Sequence, residues 1–174
     1  MKLVTHTFLT LDGVMQGPGG AEEDLSGGFG RGGWLVPFSD ADMGVIVESW
    51  FARTEALLLG RNTYETMHAY WSQVTDPANR AAARLNHGRK YVVSNTLTRA
   101  DWPESRIASG GLAEDTDSLK HEPGGVILAH PVVIGHGTGL FSSLREPLRL
   151  DLVEARTFPS GTAIHVYRPS KGNR

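Results

Sequence analysis

The residues best suited to chemistry in this sequence form one short segment, Gly60 to Glu65, directly after the apolar run Ala56 to Leu59. The run predicts a buried strand, and the segment predicts the start of a helix. A helix start presents unpaired backbone N–H groups and a partial positive charge, which favour an anion. Arg61 adds a forked cation that matches phosphate, and Thr63 is suited to cap the helix or to bind a phosphate oxygen. We therefore predict a nucleotide phosphate site in this segment; the alternative is an ordinary strand-to-helix turn.

A single carboxylate, Asp12, follows the first apolar stretch of the chain, in the sequence Thr10-Leu11-Asp12-Gly13. We expect this carboxyl group to lie in a half-buried cleft, where burial would raise its pKa. It would then hold or relay a proton as a catalytic group. The alternative is that Asp12 and Gly13 only form a turn.

Two more segments follow apolar runs, and ligands of open α/β sheets bind beyond the carboxyl ends of strands. The hydroxyls and amide of Ser94-Asn95-Thr96 suit a ribose or a phosphate as well as they suit a turn. The glycine-rich segment from Gly135 to Gly139 lacks the spacing of a Rossmann fingerprint. It is expected either to approach a ligand through its backbone N–H groups or to form a tight loop.

Composition and motifs exclude several other classes of function. The 174 residues include no cysteine, so a thiolate nucleophile and a disulfide framework are excluded. The histidines lack metal-ligand spacing and no serine lies in a G-x-S-x-G elbow, so we predict neither a metal site nor a hydrolase triad. A net charge of −2 without a basic stripe argues against nucleic acid as a partner. No apolar run approaches the roughly 20 residues that span a membrane, and we expect a cytoplasmic protein.

Alternating strands and helices must position these candidate residues. We expect strands at 2–10, 56–59, 90–94 and 105–109, helices at 39–53, from 62, at 77–87 and at 113–121, and a hairpin of strands at 148–157 and 161–168. A long glycine-rich loop covers residues 16–33. This order predicts an α/β fold, with a mostly parallel sheet, helices on both of its faces and an antiparallel C-terminal hairpin. We expect one domain over residues 1–174.

These motifs occur in an order that resembles the dihydrofolate-reductase-like family. The motifs that carry the resemblance are Thr10–Val14, Leu58–Glu65, Tyr91–Leu97 and His130–Gly135, with Pro123-Gly124-Gly125 and Arg156-Thr157-Phe158 as further matches. They are most similar to the C-terminal reductase domain of the bifunctional riboflavin-biosynthesis deaminase/reductase and its stand-alone relatives. The resemblance covers nearly the whole chain.

The resemblance implies a reductase that uses NADPH to transfer a hydride to a small pyrimidine-type or pterin-type substrate, as in the reduction of 5-amino-6-(5-phosphoribosylamino)uracil. It implies that Asp12 lies at the substrate end, as a proton-relay or substrate-orienting group. The residues that it implies for the cofactor are Gly60, Arg61, Asn62, Thr63, Ser94, Asn95 and Thr96 at the phosphates and adenosine ribose, and Gly135 and Gly137 at the nicotinamide side.

The sequence departs from the family pattern at two places. Asn95 stands where the closer relatives carry arginine, which weakens the expected grip on a 2′-phosphate. After His130 the chain continues directly with Pro131, and about twenty residues of a second phosphate loop, a crossover helix and a strand start are lacking. We therefore expect a sheet with a gap in its middle or with rearranged pairing. The alternative function is a truncated, non-catalytic relative that binds a nucleotide weakly or binds a protein partner, and either form is expected to be a homodimer.

Overall fold

The computed structural model describes residues 2–108, 122–130 and 133–170. The chain divides into two compact units, which we describe separately. Unit 1 comprises Met1–Asp40 and Leu119–Arg174, and unit 2 comprises Ala41–Ser118. The single domain expected over residues 1–174 stays a prediction. The helices and strands are β1 (Lys2–Thr10), α1 (Ala41–Arg53), β2 (Ala56–Gly60), α2 (Arg61–Trp71), α3 (Arg80–His87), β3 (Arg89–Val93), β4 (Ser105–Ala108), β5 (Glu122–His130), β6 (Leu150–Thr157) and β7 (Ala163–Pro169).

Unit 1 contains a four-stranded sheet in the order β1-β5-β7-β6. Strand β5 runs parallel to β1 and antiparallel to β7, and β6 and β7 form the antiparallel C-terminal hairpin. The glycine-rich loop after β1 folds over its own small core of Val14, Phe29 and Trp34. These buried side chains give a loop with little regular structure a fixed conformation, because apolar burial offsets the entropy lost on ordering.

Unit 2 contains a parallel three-stranded sheet in the order β2-β3-β4, with the helices α1, α2 and α3. Its core is formed by Leu59, Tyr64, Leu85, Val92 and Trp102. Helix α3 begins at a capped turn, since the side chain of Asn79 accepts a hydrogen bond of 2.9 Å from the backbone N–H of Ala82.

The predicted fold class is confirmed, and most predicted strands begin and end within two residues of the observed ones. The described strands form two sheets instead of one, as expected for a chain that has lost a strand. Most of the apolar run at 126–134 lies in the single strand β5, which ends at His130, where the sequence departs from the family pattern. The helix predicted at 113–121 lies outside the described residues.

Candidate functional site

The carboxyl ends of β2 and β3 bring together two segments that the sequence marked separately. Gly60 pairs directly with Val93 in the parallel register, so Arg61 and Ser94 begin side by side at the same edge of the unit 2 sheet. The Arg61 Nη1 donates a hydrogen bond of 2.8 Å to the Thr96 Oγ1. A guanidinium and a hydroxyl therefore converge at the sheet edge where open α/β folds bind ligands.

Arg61 also contacts a carboxylate that the sequence reading did not select. Its Nε donates to the Glu65 Oε1 at 2.9 Å, one helical turn along α2, and both side chains are 46% exposed. Exposed pairs of this kind contribute only about 0.2–1 kcal/mol, so an arriving phosphate can compete for the guanidinium. The i,i+4 spacing of arginine and glutamate was the signal in the sequence that could have identified this pair.

Helix α2 begins without a side-chain cap. Gly60 occupies the N-cap position in an extended conformation, and within the described part of the chain no side-chain cap bond to the helix start is present. The first turn of the helix carries no acidic residue. The expectation that Thr63 caps the helix is therefore wrong, because Thr63 lies inside the helix, beyond the N-cap position. An uncapped helix start keeps its N–H groups and positive partial charge available to an anion.

Ser94 closes the turn that follows β3. Its Oγ accepts hydrogen bonds from the backbone N–H of Thr96 at 3.2 Å and of Leu97 at 2.9 Å. The turn that the sequence predicted as an alternative to ligand binding by Ser94-Asn95-Thr96 is thus present. This turn holds the Thr96 hydroxyl toward Arg61. Asn95 is exposed at the tip of the same turn. A cation, a hydroxyl and an uncapped helix start together fit a phosphate ester.

In unit 1, Asp12 lies in a ring of hydrogen-bond donors. Its carboxylate accepts from the Thr10 hydroxyl at 2.6 Å, from the Gly135 N–H at 2.7 Å and from the Ile134 N–H at 3.2 Å. These bonds, led by that of Thr10, lower the pKa of Asp12 to about 2. The expected raised pKa is wrong, because the side chain is exposed and the donors stabilise its charged form. At neutral pH Asp12 is therefore an ionised hydrogen-bond acceptor.

Removing the Thr10 hydroxyl is expected to raise the pKa of Asp12. In Thr10→Val we expect it to move from about 2 toward the ordinary 3.8, because the strongest donor is lost, whereas Thr10→Ser keeps the low value. The depressed pKa stabilises the fold above the unfolded-state value of about 4, and this contribution disappears as the pH falls toward 2. Carbon NMR of the side-chain carboxyl measures the titration. An unchanged pKa of Asp12 in Thr10→Val would contradict the role of the Thr10 hydroxyl as the main cause of the low value.

Gln16 links three segments of unit 1 and was missed in the sequence. Its side chain is buried, with 6% exposed. The Nε2 donates to the Ser26 carbonyl at 2.9 Å, and the Oε1 accepts from the Thr138 N–H at 3.1 Å. The backbone carbonyl of Gln16 accepts from the Trp34 indole at 2.8 Å. Trp34 is therefore a packing residue of the loop, and Gln16 joins the glycine-rich loop to the segment at 135–139.

Replacing Gln16 with leucine is expected to lower the free energy of unfolding by about 1–3 kcal/mol, because it removes the hydrogen bonds of the buried Gln16 side chain to Ser26 and Thr138, each contributing about 0.5–1.5 kcal/mol. Urea denaturation followed by fluorescence measures the change. The matched control is Gln73→Leu, since Gln73 is exposed and its side-chain amide donates to the neighbouring Ser72 hydroxyl. If the two substitutions lower the free energy of unfolding equally, the hydrogen bonds of the buried Gln16 amide do not stabilise the fold.

The two glycines predicted at the nicotinamide side have local structural roles. Gly135 donates its N–H to Asp12 with φ +83°. Gly137 has φ +127°, and a Cβ there would lie 2.8 Å from Val14 Cγ1 and 2.9 Å from Phe29 Cε2. Any side chain at 137 would therefore collide with the loop core. These contacts explain the glycines without a ligand, and their role at the cofactor stays a prediction.

A family model described as the RibD C-terminal domain matches residues 1–120, which include Asp12 and both segments of the unit 2 site. This match spans more than half of the chain. The chain belongs to the RibD C-terminal domain family. The resemblance predicted from the motifs is thus confirmed, and the match ends before the segment after His130 where the sequence departs from the family pattern.

Relatives of this RibD-domain chain share its length or its fold. It is 26% identical over 191 residues to the uncharacterized protein YyaP of Bacillus subtilis (strain 168), covering 95% of this chain and 94% of that protein. A structure from Shewanella sp. PV-4, described as a riboflavin biosynthesis protein, matches with a TM-score of 0.70 and 17% identity, covering 98% of this chain and all of the other. The Thermotoga maritima diaminohydroxyphosphoribosylaminopyrimidine deaminase/5-amino-6-(5-phosphoribosylamino)uracil reductase matches with a TM-score of 0.59 and 14% identity, covering 97% of this chain and 56% of that one.

Within residues 2–108, 122–130 and 133–170, no three His, Asp or Glu side chains are grouped as metal ligands. Over the same part of the chain, no helix is both long and apolar enough to cross a membrane.

Proposed function

We propose that this chain is a cytoplasmic NADPH-dependent reductase that transfers a hydride to a small pyrimidine-type or pterin-type substrate. The observation that carries the proposal is the convergence of Arg61, Thr96 and an uncapped helix start in a chain of the RibD C-terminal domain family. The Thermotoga maritima relative is described as a 5-amino-6-(5-phosphoribosylamino)uracil reductase, so this pyrimidine is the substrate to test first.

The cofactor phosphates are proposed to bind in unit 2. Arg61 supplies the positive charge, the Thr96 hydroxyl supplies a donor, and the first N–H groups of α2 point along the helix axis toward the anion. Ser94 positions Thr96 through the turn that it closes. The remaining residues of the proposed phosphate and ribose site are Gly60, Asn62, Thr63 and Asn95.

Asp12 is proposed to orient the substrate rather than to supply a proton. Its low pKa leaves it ionised at neutral pH, so it accepts a hydrogen bond from a substrate N–H or O–H. Ile134 and Gly135 hold the carboxylate in place through their backbone N–H groups. NADPH, when bound, supplies the hydride, and Gly135 and Gly137 are proposed to line the nicotinamide side.

The test of activity is the oxidation of NADPH by the purified protein in the presence of 5-amino-6-(5-phosphoribosylamino)uracil, with dihydrofolate in a parallel reaction. We expect NADPH consumption with one of the two substrates and stoichiometric formation of its reduced product. Absence of consumption with both substrates, for protein that binds NADPH, would refute the proposed substrate class but not the cofactor.

A second candidate function is a non-catalytic relative that binds a nucleotide weakly or binds a protein partner. The direct step from His130 to Pro131 favours it, because it leaves no room for the second phosphate loop that the family resemblance implies as a further group to hold a dinucleotide. Absence of NADPH binding at millimolar cofactor would support this candidate over the reductase.

A further inference from the structure

The proposed reduction needs a proton that Asp12 is unable to supply. When a hydride adds to the carbon of a C=O or C=N bond, the electron pair of the double bond moves to the oxygen or nitrogen, which takes up one proton. Asp12 is ionised at neutral pH, because the donors around its carboxylate, led by the Thr10 hydroxyl, lower its pKa to about 2. A group other than Asp12 is therefore the source of the proton.

One titratable side chain, His136, lies in the segment that holds Asp12 in place. It directly follows Gly135, whose N–H donates to the Asp12 Oδ2 at 2.7 Å. Consecutive Cα atoms are about 3.8 Å apart, so the histidine begins one residue from the group that binds the carboxylate. Histidine is the side chain that most readily gains and loses a proton near neutral pH. It is therefore suited to the step that Asp12 does not perform.

Contacts within unit 1 fix the backbone beside His136. The Thr138 carbonyl accepts a hydrogen bond from the Met15 N–H at 3.0 Å, and the Thr138 N–H donates to the Gln16 Oε1 at 3.1 Å. On the other side of the histidine, the backbone is bound to Asp12. The position of His136 relative to the carboxylate is thus set by the fold.

The imidazole of His136 packs on a buried ring and is nevertheless exposed. Its centroid lies 5.7 Å from that of the Phe29 ring, and the two ring planes are inclined by 60°. Phe29 is 2% exposed in the core of the glycine-rich loop, so it supports the imidazole without covering it. An exposed ring in a fixed position is preorganised to meet a substrate and is free to exchange its proton with water.

The two segments that contact His136 and its neighbours, at 10–16 and 24–31, carry the charged side chains Asp12, Asp24 and Arg31. Hydrogen bonds from a nearby hydroxyl and from backbone N–H groups lower the pKa of Asp12 and of Asp24, so both are ionised acceptors at neutral pH. An arginine does not release its proton in proteins. Of these side chains, only the histidine fits the role of an acid.

We propose that His136 is the general acid of the reduction and donates its imidazolium proton to the oxygen or nitrogen of the substrate bond that receives the hydride. The substrate gains the hydride with its two electrons from NADPH, which leaves NADP⁺, and gains the proton from His136. The neutral imidazole then takes a new proton from water. This inference rests on the proposed reductase function and assigns that function its proton donor.

Steady-state kinetics of the wild type, His136→Ala and the control His87→Ala test the proposal, with NADPH and either 5-amino-6-(5-phosphoribosylamino)uracil or dihydrofolate. We expect the kcat of His136→Ala to fall by about a hundredfold or more, since a general acid contributes at least this much. Calorimetry should show an unchanged affinity for NADPH. His87 is also exposed but lies at the end of α3 in unit 2, so His87→Ala should keep the wild-type kcat.

Three further measurements separate proton donation from a structural role of His136. The wild-type kcat should fall as rising pH deprotonates the imidazolium, and this limb of the profile should be absent in His136→Ala. Free imidazole should restore part of the turnover of His136→Ala, because an exposed site admits it. In the protein without NADPH, the substrate should shift the imidazole NMR resonances of His136 and leave those of His87 in place.

The wild-type rate distinguishes failure of this proposal from failure of the proposed function. If the wild type reduces neither substrate, the proposed substrate class is wrong and the proton donor is overturned with it. If the wild type is active and His136→Ala is equally active, only the proton donor is overturned. A reduced kcat that keeps the wild-type pH profile and does not respond to imidazole would overturn it too. Circular dichroism checks folding, and His136→Asn replaces the alanine variant if that variant does not fold.

Discussion

Replacement of Arg61 with alanine is expected to weaken NADPH binding by roughly ten- to a hundredfold. Hydrogen bonds to a charged group contribute about 1.5–3 kcal/mol, and about 1.4 kcal/mol corresponds to a factor of ten in affinity. Arg61 is the guanidinium placed beside the Thr96 hydroxyl and at the uncapped start of α2. Calorimetric titration with NADPH measures the loss.

The matched control for Arg61 is Arg80→Ala in the same unit. Arg80 is also exposed and also pairs with a glutamate, Glu48, at 3.5 Å, but it lies on α3. We expect its removal to leave NADPH affinity unchanged. Equal losses in the two variants would indicate a general effect of net charge, and an unchanged affinity in Arg61→Ala would contradict the proposed phosphate site.

Replacement of Trp102 with alanine is expected to lower the free energy of unfolding by about 3–5 kcal/mol, the range for a large buried aromatic side chain. Trp102 is 1% exposed in the core of unit 2. Its indole N–H donates to the Asn86 Oδ1 at 2.8 Å, and the Lys90 Nζ lies 4.6 Å from the centroid of its ring. Urea denaturation monitored by circular dichroism measures the change.

Two further substitutions calibrate the loss at Trp102. Trp102→Phe keeps most of the buried area but removes the indole donor. It should therefore lower the free energy of unfolding clearly less than Trp102→Ala does. Val45→Ala removes a 65% exposed side chain from α1 and should change stability by no more than about 0.5 kcal/mol. A Trp102→Ala protein as stable as Val45→Ala would show that this core does not hold unit 2 together.

The architecture could be predicted from the sequence because its signals are local. The run Ala56–Leu59 is apolar and β-like, and Gly60 with Arg61 breaks it and opens a helix, so the boundary of β2 and α2 was placed within a residue. The antiparallel hairpin followed from two alternating runs around Pro159-Ser160-Gly161. The pairing of Gly60 with Val93 could not be predicted, because no local sequence pattern specifies the register of two parallel strands.

Side-chain environments were less predictable because distant residues determine them. Asp12 receives two of its donors from Ile134 and Gly135, more than a hundred residues along the chain. Only the Thr10 hydroxyl, which is the largest cause of its depressed pKa, lies in the neighbouring sequence. Lys90 is the first residue of the strand predicted at 90–94, and it is 1% exposed although a lysine carries a charge. Its Nζ donates to the Gly88 carbonyl at 2.7 Å, and burial lowers its pKa to about 8.

The sequence also suggested a role for Thr63 that the backbone does not permit. A threonine near a helix start is a common N-cap, but Gly60 takes that position because the strand ends there and the helix begins immediately. Gln16 shows the reverse case, since nothing about a glutamine in a glycine-rich loop indicates burial. Its importance follows only from the segments at Ser26 and Thr138 that the fold brings to it.

Isothermal titration of the purified chain with NADPH tests the central claim most directly. The account predicts saturable binding with one site per chain and an affinity that falls with rising salt, since Arg61 contributes through charge. It also predicts that inorganic pyrophosphate competes for the same site. Absence of binding at millimolar NADPH, with folded protein at low salt, would contradict the account.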